Sequence, residues 1–307
     1  MKKITIVGAG RVGESTAQSL AIAEYSHEVV LMDVREDAAK GVALDIQESA
    51  ILFGFDTKVY GDQDSKVMTG SDMVVITAGL PRKPGMSRSD VLEANLEVIR
   101  GVARDVMRYA PDAIVILVTN PVDIMTYAFR KITGWPRNRV FGLSGVLDAA
   151  RMASFIAMES GFSIKDISPM VLGGHGDSMV PMTRFTTISG IPVENFLDQA
   201  TINRIVDRTR NGGAEILALK KTSSANDSPA AAVASMIDAV CNNRKRVMPC
   251  VAVLEGEYGY SDLAIGVPVV LGAGGMERVI ELKLNEGEAR MFKESAEQVQ
   301  KDIRLIK

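Results

Sequence analysis

A chain of 307 residues, 47% hydrophobic and 24% charged, has an ordinary globular composition and enough length for two lobes. Its formal net charge of −3, without a basic tail or stripe, argues against a nucleic-acid partner, and no apolar run approaches the roughly 20 residues of a membrane span. The two cysteines, Cys241 and Cys250, make neither a disulfide framework nor a metal-ligand set, so no metal is expected and the expected compartment is a reducing cytoplasm.

The first expected strand, residues 3–7, follows Lys2-Lys3 but stops too soon for the apolar core of a signal peptide. It runs into Gly8-Ala9-Gly10-Arg11-Val12-Gly13, and a helical pattern over 11–25 and a strand over 28–33 come next, ending on Asp33. Strand, glycine turn, helix, second strand and terminal acid together form a dinucleotide-binding fingerprint. Gly8 serves the tight turn, Gly10 lets backbone N–H groups approach a pyrophosphate, and Gly13 lets the helix pack close to the sheet. Asp33 accepts from the adenosine ribose and repels a 2′-phosphate, which selects NAD over NADP.

Further strands are expected at 57–60, 73–78, 113–118 and 139–143, with helices at 36–50, 92–109 and 122–132. Met73–Thr77 and Ala113–Val118 are apolar throughout, as in parallel strands covered on both faces. Six such strands make a doubly wound α/β sheet of Rossmann type, with its ligand site beyond the carboxyl ends.

The rhythm changes after residue 146, so the chain divides into a nucleotide-binding domain, 1–145, and an α+β substrate domain, 146–307. Helices are expected near 148–160, 200–220, 229–242 and 286–305, and antiparallel strands at 247–254, 263–271 and 279–284. Gly272-Ala273-Gly274-Gly275 reads as a hairpin turn, since no helical pattern follows it directly.

Of the two histidines, His27 lies in a polar turn, whereas His175 lies in Gly173-Gly174-His175-Gly176-Asp177, where the glycines allow close approach to the ring. Asp148 and Arg151 share one helical face and fit either a helix cap with its ion partner or a functional pair. The loop 79–90 carries Arg82, Lys83 and Arg88, and fits either a solvated connector or a lid that brings positive charge to an anion. Asn120-Pro121, ending the fifth strand, has the composition of a constrained turn, open to a cis peptide, that aims an amide at the site.

Taken together and in this order, Gly8–Gly13, Asp33, the Pro81–Arg88 loop, Asn120-Pro121-Val122-Asp123, Leu147-Asp148-Ala149-Ala150-Arg151 and Gly174-His175-Gly176-Asp177 resemble the lactate/malate dehydrogenase family, in its bacterial lactate-dehydrogenase-like malate-oxidising branch. The resemblance spans essentially the whole chain. It implies a reversible hydride transfer between a 2-hydroxy acid and NAD. His175 would be the proton acceptor and donor, held by Asp148; Arg151 would clamp the substrate carboxylate, and Arg88 would polarise the reacting oxygen. Asn120 would orient substrate, and Val118, Thr119 and Asn120 would seat the nicotinamide, with Asn95 a further cofactor contact. Arg82 would pair with a second carboxylate, which makes malate and oxaloacetate the expected substrates and lactate the nearest alternative. A symmetric homo-oligomer is implied, a tetramer ahead of a dimer.

One segment departs from the family pattern. Asn226-Asp227-Ser228-Pro229 stands where an aromatic pair and Ala-Pro are usual, which bears on pocket shape and assembly. Two rival readings are weaker. Tyr127 and Lys131 have the spacing of short-chain dehydrogenases, but the glycine loop of that family is missing. A sensor that binds NAD without turnover would have no use for a base beside anion clamps.

Overall fold

In the computed structural model, residues 1–80 and 88–306 are described, with Arg88 and Ser89 as backbone. The chain begins with β1 (Lys3–Val7), α1 (Arg11–Ile22), β2 (Glu28–Met32), α2 (Ala38–Glu48), α3 (Ala50–Phe53), β3 (Lys58–Asp62) and β4 (Met73–Ile76). It continues with α4 (Arg88–Tyr109), β5 (Ile114–Leu117), α5 (Val122–Thr133) and β6 (Val140–Leu143). These six strands lie in the order β3-β2-β1-β4-β5-β6 and pair in parallel. All residues of β4 and β5 are buried, as their unbroken apolar sequences require of a sheet sandwiched by helices. The order reverses between β1 and β4, which opens a crevice at the carboxyl ends of those strands.

The second half comprises α6 (Gly145–Ser160), β7 (Ile167–Ser168), β8 (Val171–Gly173), β9 (Met179–Pro181), β10 (Thr187–Ile188) and β11 (Ile191–Pro192). Helices α7 (Gln199–Lys220) and α8 (Asp227–Cys241) follow, then β12 (Arg246–Glu255), β13 (Ser261–Gly272), β14 (Gly275–Val279) and α9 (Glu286–Arg304). β12 pairs antiparallel with β6 through Cys250 opposite Leu143, so the parallel sheet runs on through β12, β13, β8 and β9. The main apolar core follows it, from Ile4 and Ile6 in β1 to Val299 and Ile303 in α9. A smaller core, with Met152, Ile156, Ile188 and Ile205, lies under α6 and α7.

Differences from the expected elements are local. The last strand is Gly275–Val279 rather than 279–284, because Gly275, at φ +87°, turns the chain straight back onto β13 after Ala273-Gly274. Residues after Val279 lead instead into α9, which starts on a capping box of Asn285 and Glu288. The 36–50 helix is shorter and is followed by α3, whose Ile51 and Leu52 are exposed. Helix α4 starts four residues before the apolar period begins, since that period does not register a polar first turn.

Candidate active site

The glycine turn has the shape its sequence implies. Gly8 takes φ +108°, its N–H donates to the Met32 carbonyl at 2.7 Å, and a Cβ there would stand 2.7 Å from the backbone N of Ala78. A Cβ on Gly13 would collide with the Gly8 carbonyl, so helix and turn touch because both residues are glycines. Gly10 caps α1 without a side-chain partner and has open space where a Cβ would be. Arg11 and Val12 complete the first turn, whose N–H groups at a positive helix end suit a pyrophosphate.

Asp33 closes β2, and its Oδ2 accepts the Ala9 N–H at 2.8 Å. Arg35 grips the same carboxylate with its backbone N–H and guanidinium, at 2.9 to 3.0 Å. Burial works against the Asp33 charge, but these donors outweigh it and hold the carboxyl below its ordinary range. An ionised acid stands where the fingerprint requires one, and the residues present fit NAD.

At the ends of β4 and β5, Asn95 is a tie between loops. Its Oδ1 accepts from the Leu80 N–H at 2.7 Å, and its Nδ2 donates to the carbonyls of Asn120 at 2.8 Å and Leu80 at 3.3 Å. Both amide hydrogens are thus committed to backbone. Thr119 is buried and donates to the Ala78 carbonyl at 2.6 Å, Val118 is half-buried, and Asn120 is exposed. The Asn120-Pro121 bond is cis.

Across the crevice, Gly173 in β8 pairs with Gly266 in β13 and leads directly to His175. The His175 Nδ1 lies 2.9 Å from Oδ2 of Asp148, which is 1% exposed. A carboxylate only accepts, so Nδ1 carries the hydrogen and Nε2 keeps the lone pair. Burial opposes the imidazolium, but the charge and hydrogen bond of Asp148 overcome it, with a smaller push from Asp123, and the pKa lies above the ordinary histidine value.

The other Asp148 oxygen, Oδ1, accepts Nη1 of Arg151 at 3.1 Å. Sequence spacing left this pair open between cap and function; the structure buries it beside the histidine, with no side-chain cap on α6. Arg151 lies against Gly212 of α7, where a Cβ would stand 3.1 Å from its Cδ, and its Nε is buried without a hydrogen-bond partner among the described residues. Two groups escaped sequence reasoning. Gly212-Gly213 inside a long helix was a readable signal, since each costs about 1 kcal/mol against alanine there. Asp123, noted only as part of a motif, accepts the His175 backbone N–H. His27 is exposed in its turn. Arg82 lies outside the described residues, and of Arg88 only the backbone, at the start of α4, is described.

Tyr127 and Lys131 both engage Asp262, at 3.1 and 2.7 Å, which makes them helix neighbours sharing one acid. The atypical segment bridges to the glycine helix: Asn226 Nδ2 donates to Ser15 Oγ at 3.1 Å, and Ser15 donates to Asp227 at 3.4 Å.

Comparison with known proteins agrees with this arrangement along the whole chain. Residues 2–142 match the lactate/malate dehydrogenase NAD binding domain, and residues 145–307 the lactate/malate dehydrogenase alpha/beta C-terminal domain. A malate dehydrogenase of Thioalkalivibrio sulfidiphilus is 60% identical over 307 residues, covering 100% of both chains. The apo malate dehydrogenase of Picrophilus torridus superposes with a TM-score of 0.96 at 42% identity, over 99% of this chain and 97% of that one. A lactate dehydrogenase of Cryptosporidium parvum, solved with lactic acid and nicotinamide adenine dinucleotide, gives 0.95 at 37% identity, over 99% and 98%. The chain belongs to the lactate/malate dehydrogenase family, and its first half is an NAD-binding domain.

Proposed function

We propose that this protein is an NAD-dependent malate dehydrogenase, interconverting (S)-malate and NAD+ with oxaloacetate and NADH. The observation that carries the reading is the buried Asp148 carboxylate, which orders a proton-transfer group with one oxygen and an anion clamp with the other. NAD, when bound, supplies the hydride acceptor, and NADH the donor. Gly8, Ala9, Gly10, Arg11, Val12, Gly13 and Asp33 would hold its adenosine and pyrophosphate portions, and Val118, Thr119 and Asn120 its nicotinamide side. Asn95 would act there by fixing the loops that carry them.

The chain's own residues manage the proton and the charge. His175 Nε2 takes the hydroxyl proton as malate is oxidised and returns it as oxaloacetate is reduced. Asp148 fixes the tautomer and stabilises the imidazolium. Arg151 takes the carboxylate beside the reacting carbon in a two-pronged pair, a geometry lysine cannot reproduce. By the family resemblance, Arg88 stabilises developing negative charge on the reacting oxygen, Asn120 orients the substrate, and Arg82 meets the distal carboxylate. Pyruvate would leave Arg82 unpaired, at a cost of about 3–5 kcal/mol if that cation is buried.

His175→Asn tests the reading. Turnover of oxaloacetate with NADH should fall by roughly 10²–10⁴-fold, while NADH affinity, followed by fluorescence, stays near that of the unaltered protein. Undiminished turnover would sink the assignment, and a preference of the unaltered enzyme for pyruvate over oxaloacetate would overturn the substrate alone.

Leu44, Ile51, Leu52 and Phe53 present an exposed apolar face along α2 and α3, each more than half exposed. We assign this face to a second copy of the chain in a symmetric homo-oligomer, a tetramer of paired dimers ahead of a dimer. The two free cysteines fit a reducing cytoplasm.

A further inference from the structure

Asp123 lies in the first turn of α5 and is 5% exposed. Its Oδ2 accepts the backbone N–H of His175 at 2.8 Å, and its Oδ1 is buried with no hydrogen-bond partner among the described residues. A helix N-terminus favours an acid in general terms, but it does not require one shut away from water. Asparagine would accept the same N–H without the charge. Burial pushes the Asp123 carboxyl up to about 6, with His175 opposing and Asp148 adding to the push. A buried, half-satisfied carboxylate costs stability, so its charge invites a functional account.

The surroundings supply that account. Among the described residues, His175 and Asp148 are the charged side chains whose fields bear most on Asp123. From α9, Ser295 and Val299 face this loop and carry no charge; Ser295 Oγ accepts the Gly174 N–H at 2.8 Å, and Val299 would stand 2.7 Å from a Cβ on Gly174. Consecutive N–H groups of the histidine loop are therefore fixed by Ser295 and Asp123. The Asp123 charge also favours the His175 imidazolium, which the nearby Arg151 opposes. Asp148 divides its charge between His175 and Arg151, whereas the hydrogen bonds of Asp123 among the described residues include none from Arg or Lys.

We propose that Asp123 is a positioning residue for the proton-transferring histidine, tying the His175 backbone in place while setting a second negative charge 2.8 Å from its backbone nitrogen. The proposal rests on His175 being the proton-transfer group, and the two can fail separately. Asp123→Asn keeps an acceptor for the backbone N–H and removes the charge, so it isolates the second role.

With two histidines in the chain, ring-¹⁵N NMR titration of the full-length protein reads His175 directly, and exposed His27 serves as internal reference. In D123N the His175 midpoint should move down by about one pH unit, with His27 unmoved. The alkaline limb of kcat/KM for oxaloacetate reduction should move down in step. An unchanged His175 midpoint in D123N would overturn the proposal, whatever the activity, because Asp123 would then be a backbone tie only. Should D123N fail to fold, the Asp123 carboxyl ¹³C resonance of the unaltered protein decides: it should inflect at the His175 midpoint, and a flat response there overturns the proposal equally. Turnover retained by H175N would instead remove the proton-transfer reading and leave the NMR result intact.

Discussion

Asp148 gives each of its oxygens to a different side chain, and the chemistry follows from that division. Because its partnership with His175 outweighs the burial of the ring, the imidazolium persists above the pH at which a free histidine loses its proton. The sign for catalysis is then fixed. On the proposed mechanism malate oxidation needs the neutral ring, so its kcat/KM should rise with pH through the His175 midpoint. Oxaloacetate reduction needs the protonated ring and should fall through the same midpoint. Rate profiles in both directions check this, and limbs centred below the ordinary histidine value of about 6.5 would contradict it. At this scale the sequence was informative where chemistry leaves a local mark. Flanking glycines marked His175, and i, i+3 spacing marked Asp148 with Arg151. Asp123 left no mark of its role, because its partner is a backbone N–H 52 residues further along the chain.

Among the elements, the parallel strands were legible because strands buried on both faces must be apolar throughout, a pattern that few other segments share. The ends of elements were less so. Register of the last strand depends on where Gly275 reverses the backbone, and hydrophobicity does not report that. Helix α7 shows a different loss of information. Its Gly212-Gly213 looks like a flaw in isolation, and it makes sense only once Arg151 is seen lying across it. Gly212→Val should push the guanidinium out of line, raising KM for malate by about tenfold, as expected for roughly 1.4 kcal/mol of lost carboxylate binding. The NADH Kd should be unchanged, since the glycine turn is elsewhere. Steady-state kinetics beside a fluorescence titration separate these effects, and an unaltered KM would mean that Arg151 does not depend on that close approach.

For the whole molecule, the apolar face of α2 and α3 argues for a second copy. Leu52→Asp would place a charge in the middle of that face, and sedimentation velocity should show the assembly replaced by a species near the chain mass of 33.0 kDa. An unaltered protein that already sediments at that mass would refute the assignment. The change in pattern after residue 146 was legible, but the continuity of one sheet through both halves was not, because it depends on a pairing between segments more than a hundred residues apart. That pairing has a mechanical meaning. The nucleotide turn at the end of β1 and the histidine beyond β8 are mounted on one hydrogen-bonded plate. To swing them apart as two bodies would tear backbone bonds between β6 and β12, so their separation behaves as a lattice constant of the sheet, and the reach from glycine turn to histidine is gauged by backbone rather than by a hinge.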